Sequence, residues 1–301
     1  MPSEATYIGR FAPSPSGPLH FGSLVAALAS FLDARAHGGL WLLRMEDLDP
    51  AREPPEAATS ILRSLEAFGL HWDSDVLYQS TRLDTYRNAL DRLRTLGLIY
   101  ACDCSRQEVQ AMGGVYDGRC RARTKPVAHG ALRVRVADET IAFDDLIQGP
   151  QVQQLQRECG DFVVLRKDGL FAYQLAVVVD DAFQGITHVV RGVDLLDSTA
   201  RQIYLQHCLG EPTPQYAHIP VAINADGQKL SKQHFARAID DARPVPQLLQ
   251  SLQFLGQPLA PGLQEASTEE LLDWAIRHWD IQAVPKLANI RHDCDPAITS
   301  G

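Results

Sequence analysis

The sequence predicts an α/β fold: an open, mostly parallel sheet broken by an insertion and closed by a small helical region. Three observations lead there. A strand, a loop, a helix and a second strand follow one another over residues 7–45, the spacing of a right-handed βαβ unit. The same texture returns over 192–223. Between them, from Ala101, the chain turns rich in Cys, Gly and Arg.

Residues 7–11 are a short strand and 12–17 a Pro/Ser/Gly-rich loop. Over 18–36, Leu24, Val25, Leu28, Phe31 and Leu32 share one helical face, and Gly38-Gly39 ends the helix. Residues 40–45 fit a buried strand, followed by the acidic run Glu46-Asp47-Leu48-Asp49-Pro50. Helices are expected over 55–68 and 82–96. A loop then runs to Lys125, residues 131–136 alternate like a strand, and further short strands reach about residue 164. Residues 101–190 read as an insertion with its own irregular core. After 192–209 and 219–223, the tail predicts helices over 246–255, 268–277 and 284–289.

Of 301 residues, 45% are hydrophobic and 22% charged, which excludes a disordered chain. No apolar run approaches the ~20 residues of a membrane span. The start has no basic end leading into an apolar stretch, so a cytoplasmic location with no membrane partner is expected. The net charge is −9, from 28 Lys+Arg against 37 Asp+Glu. Bulk charge will not hold nucleic acid, so any such partner must meet a local patch.

Two segments carry phosphate chemistry. Arg10-Phe11-Ala12-Pro13-Ser14-Pro15-Ser16-Gly17-Pro18-Leu19-His20-Phe21-Gly22-Ser23 puts a Gly/Pro/Ser loop before a helix start, where free N–H groups and the helix dipole attract anions. It lacks the glycine pattern of dinucleotide folds and the GK[ST] of P-loops. His20 can donate to phosphate, and Gly22 lets a flat base approach the backbone. The second is Lys229-Leu230-Ser231-Lys232-Gln233, after the turn signal Ala225-Asp226-Gly227-Gln228. Two lysines three apart can clamp a polyphosphate and neutralise a leaving pyrophosphate.

Six cysteines occur. Cys102, Cys104 and Cys120 have the spacing of a structural zinc site in a loop with little else to order it. Tyr116, Asp117, His129 or water could complete it. Cys159, Cys208 and Cys294 lack partner spacing. Arg119, Arg121, Arg123 and Lys125 form a basic run beside this loop, either an RNA approach or a solvated face.

The two phosphate segments together resemble the HIGH and KMSKS signatures of class I aminoacyl-tRNA synthetases. Arg10 to Gly17, Arg44-Met45-Glu46-Asp47-Leu48-Asp49-Pro50, Val178-Val179-Asp180-Asp181 and Gly185-Ile186-Thr187-His188-Val189-Val190-Arg191-Gly192-Val193-Asp194-Leu195-Leu196-Asp197-Ser198-Thr199 narrow the likeness to the glutamyl/glutaminyl branch. Ser23 stands where the signature ends in His, and Gln233 where KMSKS ends in Ser. With a short tail after Gln233 and the cysteine insertion, the chain resembles the truncated family that glutamylates queuosine at the wobble position of tRNA(Asp).

The resemblance implies a Rossmann-like nucleotide-binding fold with a zinc-containing insertion. Its parts are a first catalytic half (1–100), an inserted zinc-binding, acceptor-like domain (101–190), a second catalytic half (191–236) and a helical stem-contact-like region (237–301). It implies tRNA-independent activation of L-glutamate by ATP, with Mg2+, and transfer to tRNA(Asp) at the anticodon loop. His20, Lys229 and Lys232 are the expected catalytic groups. ATP is expected at His20, Gly22, Ser23, Asp194 and Lys232. Zinc is expected on Cys102, Cys104, Tyr116 and Cys120. Glutamate has two carboxylates and one ammonium, so its site needs two cations and one anion. Arg10 and Arg191 fit the first requirement, Glu46 the second, and Tyr173 adds a hydroxyl; Phe11, Ala12, Pro13 and Ser14 complete the expected site. Asp47, Asp49, Asp180 and Asp194 are expected to orient these groups, Asp194 also to hold ribose. Competing readings are conventional glutamylation of a tRNA 3′ end, an inactive RNA-binding paralogue, and a small-molecule adenylyltransferase, which would not need the motifs around Arg44 and Arg191.

Overall fold

The computed structural model describes residues 6–123, 130–224, 227 and 237–292. The chain opens with β1 (Ile8–Phe11), α1 (Phe21–Ala36) and β2 (Leu40–Met45), with β1 and β2 parallel and Ile8 opposite Leu40. The predicted βαβ unit is therefore present. α1 begins at Phe21 because the backbone of His20 is extended and its imidazole Nδ1 accepts the Ser23 N–H, a side-chain cap. Gly39 lets the next turn pass against the Tyr7 carbonyl, where any Cβ would collide.

α2 (Ala57–Ala67), β3 (Leu77–Tyr78) and α3 (Leu83–Thr95) follow, β3 adding parallel to β2. Then come β4 (Ile99–Cys102), α4 (Arg106–Ala111), β5 (Ala131–Val134), β6 (Thr140–Asp145), β7 (Gly149–Gln154), the single turn α5 (Leu155–Glu158) and β8 (Val163–Leu165). α6 (Tyr173–Phe183), β9 (His188–Gly192), α7 (Leu196–Leu209), β10 (Gln215–Ile219) and β11 (Val221–Ile223) restore the α/β texture. α8 (Pro244–Phe254), α9 (Thr268–His278) and β12 (Asn289–Arg291) complete the described chain.

The second parallel block is ordered β7-β6-β10-β9. β10 runs parallel to both β9 and β6, and a hairpin joins β6 to β7. Thr187 ties this block to the first: its N–H donates to the Ile8 carbonyl at 2.9 Å, and its Oγ1 accepts the Ile8 N–H at 2.8 Å. The strand ends that carry Arg10 and Arg191 thereby lie side by side.

α1 is buried nearly all round, with Leu24, Leu28 and Leu32 wholly inaccessible, because the sheet covers one face and α8 and α9 the other. Each such leucine contributes about 1.5–3 kcal/mol. A second core joins α3, α6 and α7 through Tyr86, Leu90, Leu175, Val178 and Ile203.

Two sequence expectations need correction. Residues 101–190 do not keep a core to themselves: Val134, Ile141, Phe162 and Leu175 pack into the second core with Leu42 and Tyr86. Among the described residues of this stretch, Cys102, Tyr116 and Cys120 form a separate local cluster. Residues 284–289 are not helical. Val284 precedes Pro285 and takes ψ 128°, the extended conformation a following proline imposes, and the chain goes on to pair β12 with β11 in parallel.

Candidate active site

A cavity of about 370 Å³ lies where β1, β2 and β9 end and α6 begins, lined by Arg10, Phe11, Ala12, Ser14, Ala26, Glu46, Tyr173, Val190, Arg191, Gly192 and Leu195. The loop after β1 is held against the end of β2 by the Glu46 N–H, which donates to the Pro13 carbonyl at 3.0 Å. Of the residues the sequence assigned to glutamate, only Pro13 is not on the cavity wall. His20, Gly22 and Ser23 sit at the start of α1, and Asp194 in the turn Val193–Leu195 beside Gly192. None of these four lines the cavity. Lys229 and Lys232 lie outside the described residues. Beyond them, Ala238 bridges to His20 and the Ile239 N–H donates to the Leu19 carbonyl at 3.0 Å, so the chain leaving that run is anchored at the cap of α1.

Arg10 does not pair with Glu46. Its Nε reaches Asp181 Oδ1 at 3.2 Å, and the inaccessible Arg44 donates to the same oxygen at 2.8 Å. Arg44 also donates to Gln184 Oε1 at 2.7 Å and stands 3.6 Å from Glu46 Oε1. Burial outweighs the nearby Arg44 and Arg10 charges and pushes the Glu46 carboxyl up to about 7. Asp181 is equally enclosed but held below the usual carboxylate range, because Arg10 and Arg44 together overcome its desolvation. Among the described residues no donor reaches Glu46 Oε1. The cavity thus presents one buried acid short of a hydrogen-bonded cation.

Opposite stands Arg191. Its Nε donates to His218 Nε2 at 3.0 Å, its Nη2 to Thr199 Oγ1 at 2.8 Å, and its Nη1 to the Tyr173 hydroxyl at 3.3 Å. Tyr173 opens α6 and is driven upward in pKa by burial. Three of the four expected orienting acids have partners of their own. Asp180 accepts from Gln79, Arg82 and Tyr86; Asp47 holds Ser80; Asp49 pairs with Arg166 at 2.9 Å. Sequence reasoning missed Asp181, Arg44, Thr199 and His218. Their signal was faint: Asp181, Arg44 and Thr199 sat within quoted motifs without a role, and His218 is an isolated, wholly buried histidine in the strand Gln215–Ile219.

The sulfurs of Cys102, Cys104 and Cys120 lie within 4.8 Å of one another. The Tyr116 hydroxyl stands 3.3 Å from Cys102 Sγ and 3.9 Å from Cys104 Sγ. Gly160, at φ 66°, lets the Tyr116 backbone pass where a Cβ would collide with its carbonyl. Desolvation and the neighbouring thiols push Cys104 up to about 11. Four crowded acidic donors, three of them soft, suit a tetrahedral zinc ion. Asp117 is instead engaged by Arg119 at 2.8 Å, and His129 lies outside the described residues. The basic run is likewise spoken for: Arg121 grips the buried Asp161 at 2.6 Å and Arg123 pairs with Asp103 at 2.5 Å. Lys125 lies outside the described residues.

The family model for the catalytic domain of class I tRNA synthetases (E and Q) matches residues 8–248. A glutamyl-Q tRNA(Asp) synthetase of Neisseria meningitidis serogroup B is 56% identical over 94% of this chain and 98% of its own length. The chain belongs to the glutamyl-Q tRNA(Asp) synthetase family. It is a ligase of the class I aminoacyl-tRNA synthetase type, glutamyl-tRNA synthetase-like in function. A relative of the same name from Pseudomonas syringae pv. tomato is 51% identical over 95% of this chain and 97% of its own. Among solved structures, a glutamate-tRNA synthetase of Elizabethkingia anophelis superposes with a TM-score of 0.80 at 25% identity, covering 96% of this chain and 68% of that one. The expected class I fold is therefore the fold observed. Among the described residues no helix is long and apolar enough to cross a membrane.

Proposed function

We propose that this chain joins L-glutamate to ATP without tRNA, forming glutamyl-adenylate and pyrophosphate, and then transfers the glutamate to queuosine at the wobble position of tRNA(Asp). One observation carries the reading: two arginines, a buried acid and a phenol converge on a single cavity that Ala26 of α1 also lines. That set complements two carboxylates and one ammonium. Arg10 and Arg191 take the carboxylates, Glu46 the ammonium, and Tyr173 a further hydrogen bond; Phe11, Ala12 and Ser14 form the wall, and Pro13 holds the loop against the Glu46 N–H. ATP, with its Mg2+, lies across Gly22 and Ser23, its ribose toward Asp194 and its phosphates toward His20, Lys229 and Lys232. The α-carboxylate is already an anion. It forms the new O–P bond at the α-phosphorus while the bond to the pyrophosphate oxygen breaks, so no general base is required.

The names of the Neisseria and Pseudomonas relatives support the queuosine acceptor. In this reading 1–100 and 191–236 are the two catalytic halves, 101–190 is the insertion and 237–301 the stem-contact-like region. One structural zinc ion is held by Cys102, Cys104, Tyr116 and Cys120, where it cross-links the loop. The test uses labelled glutamate, ATP and tRNA(Asp) with and without queuosine. Label should appear only on the queuosine form and survive removal of the 3′ terminal adenosine. Label lost on blocking the 3′ end would reject this function for ordinary aminoacylation.

A further inference from the structure

The Arg191 guanidinium faces the cavity but is steered from behind. Arg191 and His218 are register partners on β9 and β10, and the Arg191 Nε–H points at His218 Nε2 across 3.0 Å. A guanidinium only donates. The Nε2 atom must therefore carry the lone pair, which leaves the proton on Nδ1. There it meets Asp145 Oδ2 at 2.5 Å, and neither the His218 nor the Asp145 side chain has any exposed surface. Asp145 ends β6, the strand that flanks β10 on its other side.

The other oxygen of Asp145 is committed. Oδ1 accepts the backbone N–H groups of Gln148 at 2.8 Å, Ile147 at 3.1 Å and His218 at 3.1 Å. Oδ2 alone is left for the imidazole, so the carboxylate cannot turn to suit a different histidine. Burial also lowers the His218 pKa, which favours the neutral ring that an acceptor nitrogen requires.

We infer that Asp145 and His218 are positioning residues for substrate recognition: the carboxylate locks the imidazole in its Nδ1–H tautomer, and Nε2 thereby aims Arg191 at a carboxylate of the bound amino acid. The inference rests on the proposed role of Arg191 in glutamate binding. Its chemistry resembles that of other carboxylate–imidazole pairs, in which an amide replacement imposes the wrong tautomer while leaving the shape intact. In Asp145→Asn, the three backbone donors hold the amide oxygen at the Oδ1 position. The NH2 group then faces His218 Nδ1 and forces the proton onto Nε2, opposite another donor, the Arg191 Nε–H. His218→Gln, by contrast, can place an amide oxygen near the Nε2 position and keep an acceptor for Arg191.

Nitrogen-15 NMR of the imidazole and glutamate affinity by calorimetry test this together. The wild-type ring should show a protonated Nδ1 and a bare Nε2; a bare Nδ1 would overturn the inference with no variant needed. Asp145→Asn should reverse the tautomer and weaken glutamate binding at least ~10-fold, about the worth of one charge-assisted hydrogen bond, whereas His218→Gln stays within about threefold of wild type. A reversed tautomer with unchanged affinity would refute the positioning role. Arg191→Ala separates the two levels: if it leaves glutamate affinity intact, the proposed role of Arg191 itself is wrong, and if it abolishes binding, the Asp145 result speaks for the pair alone.

Discussion

Glu46 carries the sharpest residue-scale consequence. Its carboxyl is pushed from 4.5 to about 7, first by burial, against the pull of Arg44 and Arg10 and with the repulsion of Asp181 and Asp180. A folded pKa above the unfolded one gives stability that is full below about 4.5 and lost as pH rises through about 7. Ionising Glu46 therefore costs the empty protein. Glu46→Gln should unfold at a higher temperature than wild type at pH 8, and the gap should close toward pH 5, as thermal denaturation at both values will read. An ammonium needs the ionised form, so glutamate affinity should fall as pH drops below about 7, approaching tenfold per unit. Glu46→Gln should bind weakly at every pH; a variant that kept the wild-type pH profile would remove Glu46 from the site. Arg44 is the structural counterpart. Removing it strands Asp181 and Glu46 beside one remaining cation, so Arg44→Met should cost about 3–5 kcal/mol in urea denaturation. The sequence named Arg10, Glu46, Tyr173 and Arg191 because substrate charge demands those types. It could not name Asp181 or His218, because their part is set by partners on other elements: Arg10 and Arg44 for Asp181 on α6, Arg191 and Asp145 for His218 on β10.

At the scale of elements, patterns within one segment and the local β1–β2 pairing were legible, and pairings between distant segments were not. β2 was read to the residue, since an apolar run bounded by Gly39 and an acidic turn leaves little choice. α9 was read almost as well. Ser267 accepts the Glu270 N–H at 3.2 Å while the Glu270 carboxylate accepts the Ser267 N–H at 2.8 Å, a complete capping box. Ser267→Ala should destabilise the protein by about 1 kcal/mol, because α9 starts at an exposed corner but packs on α1. Calorimetric unfolding would show it, and no change would mean that α9 holds by packing alone. β12 was missed because its partner β11 lies far back in the chain, and because apolar Val284 and Leu287 imitate a helical face that Pro285 forbids. The insertion was misjudged similarly: the short strands were visible, but not that β6 joins β10 and brings Asp145 to the strand behind the cavity.

Across the whole molecule, the cavity and the cysteine cluster stand on different footings. The cavity is framed by both large cores, through β1 and α1 on one side and α6 and β9 on the other. Among the described residues the cluster buries Cys102, Tyr116 and Cys120, and it is joined to the rest by the β4–β5 pairing, the Tyr116–Gly160 bridge, the Arg121–Asp161 ion pair, the Tyr100–Asp161 hydrogen bond and the Arg133 guanidinium 3.9 Å above the Tyr116 ring, among other polar contacts. A region with so little buried apolar surface opens locally at small cost, whereas the cores open only with the whole fold. Metal coordination by three cysteines and a tyrosine would supply most of the local stability, since binding free energy there is folding free energy. Chelation of zinc-loaded protein should therefore speed amide hydrogen exchange across residues 102–123 while leaving α1, β2, α6 and β10 as protected as before. Glutamate affinity measured on the same chelated sample should stay within about threefold of its starting value, because no cysteine of the cluster lines the cavity. Exchange that accelerated throughout the chain would make the metal a keystone of the entire fold, and exchange that changed nowhere would leave the cluster without a metal to lose.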